Sequence, residues 1–275
     1  MRNELLVRSN LHTHTSFCDG KDTAEEVVLS ALGEGMDVLG FSEHCCTGIA
    51  DVYGMKAENV PLYRAEVKRL QALYGDRIHI LLGVEQDLYA GAPQEDYDYV
   101  IGSVHYVCMD GEYCPVDASL ESMMRIVNEH CGGDVLRYAK AYYENAARVA
   151  QTTNCDIVGH FDLLTKFNEQ AAVIDEGDPR YVAYALEALD ALLERDVIFE
   201  VNTGAISRGY RKTPYPSPFL LRRIAQKGGR VVLNADAHAK EHLLYAFDKA
   251  TELLRVCGFG SVMMMTPFGW KSRAL

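Results

Sequence analysis

Several familiar signatures are missing from this 275-residue sequence, and each absence removes a class of function. No apolar run approaches the roughly 20 residues that span a bilayer. The N-terminal stretch MRNELLVRSN has no apolar core of the about 7–15 residues that a secretory signal needs. Together these favour a cytoplasmic protein with no membrane partner. The eight cysteines form no CxxC pair and no regular spacing, so a disulfide framework is not expected. A chain of this length buries enough surface to fold without such staples. There is no Walker A loop, no G-x-S-x-G elbow and no G-x-G-x-x-G, which withdraws support from nucleotide-driven, serine-hydrolase and dinucleotide chemistry. A basic stripe is also missing. With a formal net charge of -12, a long nucleic acid is not an expected partner. A small anionic substrate remains compatible, because bound cations reverse the field locally.

No Pro/Gly/Ser-rich linker, low-complexity tract or short repeat divides the chain, so one domain over residues 1–275 is expected. What recurs is a strand pattern followed by a helix pattern. Strands are expected at Leu5–His14, Met36–His44, Arg77–Glu85, Tyr97–His105, Cys155–His160, Val197–Asn202 and Arg230–His238. Between them, Thr23 and Glu26 form a capping box that opens a helix ended by Gly33 or Gly35. Further helical patterns cover Tyr63–Tyr74, Leu120–Thr152 with a break at Gly132–Gly133, Pro179–Arg195, Ser217–Lys227 and Glu241–Val256, the last followed by an apolar SVMMM. Strands separated by helices give a parallel sheet, and this many fit an α/β barrel better than an open sheet.

The chemistry gathers at the strand ends. In order these carry His12 and His14, His44, Glu85, His105, His160, Glu200, then Asp236 and His238; six of the nine histidines lie there. In a parallel barrel all such ends open onto one face, so residues distant in sequence converge in one mouth. Taken singly the pieces are weak. His12 and His14, two apart, share a strand face, as a half-exposed strand also requires. His44, His105 and His160 are each equally readable as hydrogen-bonded core residues. Glu85, ending the apolar run ILLGVE, is costly to bury without a cation or a dense set of donors. As a set they point to a metal cluster, and mixed imidazole and carboxylate donors suit Zn, Mn or Fe better than Mg or Ca. Two or three such ions sharing a carboxylate acidify a water into a hydroxide nucleophile suited to phosphate esters.

Two further patterns compete for attention. His238-Ala-Lys-Glu-His242 matches the H-x-x-E-H of certain zinc peptidases, but those hold it within a helix, whereas His238 follows a strand. Arg208, Arg211 and Lys212, beside Gly204 and Gly209, read either as a solvated basic loop or as arginine forks for a phosphate; Lys166 is a second candidate for that task.

The segments NLHTHTSFCDGKD, GFSEH, LLGVE, GSVHY, VGHFDLL, EVNT and NADAH resemble, in order and spacing, the PHP (polymerase and histidinol phosphatase) superfamily. GHFDLL and EVNTGAISRG…YPSPFLL resemble its stand-alone histidinol phosphatases in particular. The resemblance runs from Asn10 to His238 and implies a distorted (β/α)7 barrel. It implies that His12, His14, Glu85 and Asp236 hold one ion, and that Glu85 bridges to a second held by His105 and His160. Asp19, His44 and His238 hold a third. Some members carry a histidine at the position of Gly20, so the third site departs from the pattern. Glu200 has no ligand role in this scheme and either contacts substrate or orients a ligand. Catalysis then rests on Glu85, Asp236 and His238 around a metal-bridging hydroxide, with Arg208, Lys166 or Arg211 on the phosphate. Glu43 and Asp162 supply an acidic lining for the amine and imidazole of the substrate. The implied activity is hydrolysis of L-histidinol phosphate, a small phosphorylated substrate of histidine biosynthesis. The alternatives are a phosphoesterase for nucleotides or short oligonucleotides, a protein-tyrosine phosphatase of the same superfamily, and a metal-binding module without turnover. His79, His130 and His242 are expected to be structural or exposed.

Overall fold

The computed structural model describes residues 7–49 and 53–275. The strands are β1 (Ser9–Asn10), β2 (Val38–Phe41), β3 (His79–Asp87), β4 (Tyr99–Ser103), β5 (Tyr106–Met109), β6 (Glu112–Pro115), β7 (Ile157–Val158), β8 (Ile198–Asn202), β9 (Arg230–Asn234), β10 (Ser261–Thr266) and β11 (Gly269–Ala274). Seven of them form one parallel sheet in the order β1-β2-β3-β4-β7-β8-β9. This is the expected nearly closed seven-stranded barrel. Its seam uses side chains where a ladder is lacking. Leu11 N donates to Asn234 Oδ1 and Ala235 N to Asn10 Oδ1, each at 2.9 Å. Beyond them Thr13 and Ala237 form a single parallel bridge.

Alternation along the strands sorts the residues into two cores. One face packs on the surrounding helices, including Ala24–Glu34, Val60–Tyr74, Val135–Ala146 and Pro179–Leu193. The other fills the barrel with Leu11, Val38, Leu81, Tyr99, Ile101, Ile157, Ile198 and Val232. Met263, Met264, Met265 and Trp270 pack against this inner set from the C-terminal β10–β11 hairpin. The Tyr99 ring has room because Gly40 and Gly83 lack a Cβ, which would lie 2.3 and 2.2 Å from its atoms.

The expected helix at Thr23 forms with its capping box and ends at Gly35, in the left-handed conformation at φ 72°. Other boundaries move. The first strand shortens to Ser9–Asn10, and Leu5 and Leu6 of the expected strand lie outside the described residues. The last strand stops at Asn234, because Asp236 at φ 49° turns the backbone off the sheet. The expected helix over Leu120–Thr152 is three helices, Leu120–Cys131, Val135–Ala146 and Val149–Thr153; the first break falls at Gly132 and Gly133, as expected, where both take positive φ. The β5–β6 hairpin was not expected; Asp110–Gly111 turn it with both φ positive, as a two-residue type I′ loop requires. The final helix begins only at Phe247, and Lys240–His242 form a 3-10 turn, so the H-x-x-E-H stretch is not a helical zinc motif. Among the described residues no helix is long and apolar enough to cross a membrane.

Candidate metal centre

Period-2 alternation carries the inner face of each strand from apolar residues to polar ones. On β3 the inward series runs Leu81, Gly83, Glu85, Asp87; on β8, Ile198, Glu200, Asn202. The chain past β9 adds Asp236 and His238 to the same mouth, opposite His12 and His14. Asp236 holds a left-handed conformation, which costs a non-glycine residue about 1–3 kcal/mol. It is accommodated by Gly204, where an added Cβ would lie 2.7 Å from Asp236 Oδ2.

Glu85 sits at the centre, 1% exposed. Its Oε1 lies 2.8 Å from His160 Nε2 and 3.2 Å from His105 Nε2. Its Oε2 lies 2.8 Å from His44 Nδ1, 3.2 Å from His12 Nε2 and 3.5 Å from His14 Nε2. Asp236 Oδ1 is 3.4 Å from both His14 Nε2 and His238 Nδ1. Asp19 reaches in with Oδ2 3.2 Å from His238 Nε2 and Oδ1 3.7 Å from His44 Nε2. The structure therefore brings all nine residues of the expected ligand set into one cluster. Donor atoms converge within 4.8 Å in the sets His12–Glu85–His160, His12–His14–Asp236, His44–Glu85–His105 and His14–Asp19–His44–His238.

These atoms point at shared centres more than at each other. His12 Nε2, His14 Nε2 and Glu85 Oε2 are buried and, despite close charged neighbours, have no properly directed hydrogen bond among the described residues. Buried polar atoms are otherwise almost always satisfied. The donor set thus fits divalent cations on the structure's own terms. The electrostatics agree. Burial opposes ionising Glu85, yet the charges of His12, His44 and His105 hold its carboxyl well below the usual range. Burial likewise opposes charge on His12 and His105. Glu200, Glu85 and Asp236 outweigh it at His12, and Glu85 with Asp87 at His105, so both pKa values rise well above the ordinary value. Burial, with His238 and His44 beside it, pushes His14 down to about 3. A potential that gathers protons onto imidazoles is one that a divalent ion relieves.

Glu200 is fully buried, and its Oε1 lies 2.6 Å from His12 Nδ1. Its carboxylate also accepts from the His160 backbone at 2.8 Å and from Asn202 and Asn234 side chains. It orients a ring of the cluster, the second of the two roles open to it. Asp87, which the sequence reading passed over, does the same for His105, with Oδ2 3.3 Å from Nδ1 and accepting from the backbone N at 3.0 Å. Its signal was present: Asp87 follows Glu85 by two residues, as His14 follows His12.

Above the cluster opens a cavity of about 240 Å³ lined by Arg208, Lys166, Asp87, Asp117, Tyr106 and Tyr210 among others. Arg208 donates to Asp236 Oδ2 at 2.9 Å and contacts His238 Nδ1 at 2.7 Å, while its buried Nε has no partner among the described residues. Lys166 Nζ donates to Asp117 O at 2.8 Å and Oδ2 at 3.0 Å, beneath the Tyr210 ring. Three expected substrate contacts are corrected. Glu43, past the end of β2, does not line the cavity; it is fully buried, accepting from Thr15 N, Thr15 Oγ1 and Cys18 Sγ. Arg211 is folded into the protein against Thr165, Thr213 and Ser217, and over the Tyr215 ring. Asp162 is buried outside the cavity lining, its Oδ2 accepting from Ser217 N and Oγ at 2.9 and 2.6 Å. Lys212 is exposed, with its backbone N on Glu169. Asp117 is an acidic residue of the cavity wall outside the ligand set, and it carried no strand-end signal.

The chain is similar to several known proteins. The family model of the PHP domain matches residues 10–204. A Deinococcus radiodurans protein named "Probable histidinol-phosphatase" is 31% identical, over 90% of this chain and 92% of that one. A Schizosaccharomyces pombe protein of the same name is 27% identical over 92% and 88%. Among solved structures, histidinol phosphate phosphatase from Lactococcus lactis, complexed with zinc, L-histidinol and phosphate, superposes with a TM-score of 0.75 at 21% identity, covering 96% of this chain and 98% of that one.

Proposed function

The chain belongs to the PHP domain family, and on that footing we infer that it is a metal-dependent phosphomonoesterase that hydrolyses L-histidinol phosphate to L-histidinol and phosphate. One observation carries the reading: Glu85 lies buried among five imidazoles at the floor of a cavity whose wall presents Arg208 and Lys166. His12, His14, Glu85 and Asp236 would hold one divalent ion, Glu85, His105 and His160 a second, and Asp19, His44 and His238 a third. Zinc, manganese and iron suit these donors, and zinc is the ion in the Lactococcus lactis structure. When bound, such ions neutralise phosphate charge and acidify water near neutral pH.

The chain's own residues complete the site. Glu200 and Asp87 keep the His12 and His105 rings turned so that Nε2 faces inward. Arg208, anchored on Asp236, offers its guanidinium to a non-bridging phosphate oxygen. Asp117 and Asp87 give the wall the acidic character that the ammonium of histidinol phosphate favours, with Lys166 free to exchange Asp117 for the phosphate. The cavity suits a small ester; the net charge of -12 and the absence of a basic stripe speak against a polymer. Relatives of near-full coverage carry the histidinol-phosphatase name. Eight unbridged cysteines fit a cytoplasmic setting.

The test is phosphate release from L-histidinol phosphate by protein loaded separately with Mn, Zn and Fe. Turnover of about 10 per second, an ordinary enzyme value, supports the reading. Negligible release by metal-loaded protein that readily cleaves another phosphoester would overturn the substrate while keeping the metal centre.

A further inference from the structure

A metal-binding ring that offers Nε2 inward is ordinarily held at its other nitrogen, although His160 Nδ1 has no partner among the described residues. For His12 the partner is the Glu200 carboxylate at 2.6 Å, and for His105 the Asp87 carboxylate at 3.3 Å. His14 has no carboxylate there. Its Nδ1 meets the Cys18 thiol, with Sγ 3.5 Å away. The thiol in turn donates to Glu43 Oε2 at 2.7 Å. Glu43 is fully buried, and Thr15 fixes it with N at 3.1 Å and Oγ1 at 2.6 Å to Oε1. Neither Cys18 nor Glu43 lines the cavity, so neither has a part in holding substrate.

We propose that Cys18 and Glu43 form a relay that positions His14, fixing it as the ring protonated on Nδ1 with Nε2 free for the metal cluster. The direction of each hydrogen bond follows from donor inventory. A carboxylate only accepts, and of the two that the Cys18 thiol faces Glu43 is the nearer, at 2.7 Å against 3.3 Å for Asp19 Oδ1, so the single thiol proton goes to Glu43. The sulfur lone pairs are then what remain to face His14, and a lone pair beside Nδ1 selects the tautomer with hydrogen on Nδ1. Nε2 is left without a proton, aimed between Glu85 Oε2 at 3.5 Å and Asp236 Oδ1 at 3.4 Å. Cys18 also lies on the turn that delivers Asp19: its Sγ is 3.3 Å from Asp19 Oδ1, and Cys18 N and Gly20 N both donate to Thr15 O. The relay therefore supports His14 and Asp19, which share one convergent set of donors. It rests on the reading of the cluster as a metal site.

Removing a partner that orients a metal-binding histidine costs about 10–100-fold in metal affinity. The experiment is zinc affinity of the metal-stripped full chain, by competition with a chromophoric chelator, for the parent, Cys18→Ala, Cys18→Ser and Glu43→Gln. Cys18→Ala is expected to lose about 10–100-fold, and Cys18→Ser to recover most of it, because a hydroxyl still donates to Glu43 and accepts from His14. Nitrogen–proton correlation spectra of the zinc-loaded parent should show His14 protonated at Nδ1. Equal zinc affinity in Cys18→Ala and the parent would overturn the relay. So would equal losses in the Ala and Ser variants, which denote packing, or a His14 proton found on Nε2. Glu43→Gln keeps the shape and should also weaken zinc; parent-like affinity there removes Glu43 from the relay. A parent that binds no divalent ion at all is a separate failure, that of the metal reading itself.

Discussion

The two ends of this barrel are lined by the same strands and have opposite chemistry. At one end β3, β8 and β9 point Leu81, Ile198 and Val232 inward, and the β10–β11 hairpin covers them with Met263–Met265 and Trp270. Two to four residues further along the same faces stand Glu85, Glu200 and Asp236, all buried, all carboxylates. The apolar end gains from burial on its own. The polar end does not: it concentrates ionisable groups whose atoms are left unsatisfied and bends Asp236 into a left-handed conformation. Stability resides at the floor and is given up at the mouth, where the surrounding scaffold over-determines the geometry. Substitutions at the mouth should therefore cost activity first, and those at the floor should cost stability alone.

The largest effect is expected at Glu85. Its carboxylate is common to two of the proposed ion sites, so Glu85→Gln should lower phosphate release by about a thousandfold, equivalent to roughly 4 kcal/mol of transition-state stabilisation. Metal-stripped, the variant should unfold earlier than the stripped parent, because His12, His44 and His105 lose the carboxylate that offsets their charge. Phosphate release close to that of the parent would contradict the assignment of the chemistry to the mouth.

At the floor, Leu81→Ala should do the reverse. Truncating a buried leucine costs about 2–5 kcal/mol through lost burial and the cavity left behind. Urea unfolding would show that loss, while the kcat/KM of the protein still folded stays within a few-fold of the parent. A large drop in kcat/KM would mean that the apolar layer tunes the metal centre directly.

The legibility of the sequence follows the same division. Strand ends were readable because a period of two places His12 with His14 and Asp236 with His238 on one face, and that rule needs no knowledge of the fold. Applied consistently, it would also have added Asp87 to Glu85 and withdrawn Glu43, which adjoins the inward His44. Arg211 and Asp162 had no such rule to go by, since loop side chains follow tertiary partners: Thr165 and Ser217 draw both of them inside. The β5–β6 hairpin did announce itself, through Asp110–Gly111, a strong two-residue turn signal between the apolar Tyr106–Met109 and Glu112–Pro115. The short β1 was obscured by its closure through Asn10 and Asn234, because a side-chain amide standing in for a ladder leaves no alternation pattern.

An intermediate effect is expected at Glu200, which touches the cluster only through His12 and the His160 backbone. Glu200→Gln keeps the volume but makes the group beside His12 Nδ1 a weaker acceptor, so zinc affinity should fall about 10–100-fold. Chelator competition measures this directly. Parent-like affinity would show that packing alone holds the His12 ring.

The smallest effect should come from the layer where the two ends meet. Tyr99 crosses the barrel interior with its ring in the apolar set and its hydroxyl 2.5 Å from Leu11 O and 2.9 Å from Phe41 O, just below His12 and the mouth. Tyr99→Phe leaves the ring in the space that Gly40 and Gly83 provide and deletes only the hydrogen bond. A net contribution of about 1 kcal/mol is ordinary for such a bond. If floor and mouth are energetically separate, that loss appears in urea unfolding and phosphate release changes less than about threefold, equivalent to under roughly 0.7 kcal/mol. If activity falls much further, Tyr99 is ordering the Leu11–His12 backbone for the metal cluster, and the boundary between the two ends lies one layer deeper than the side-chain chemistry suggests.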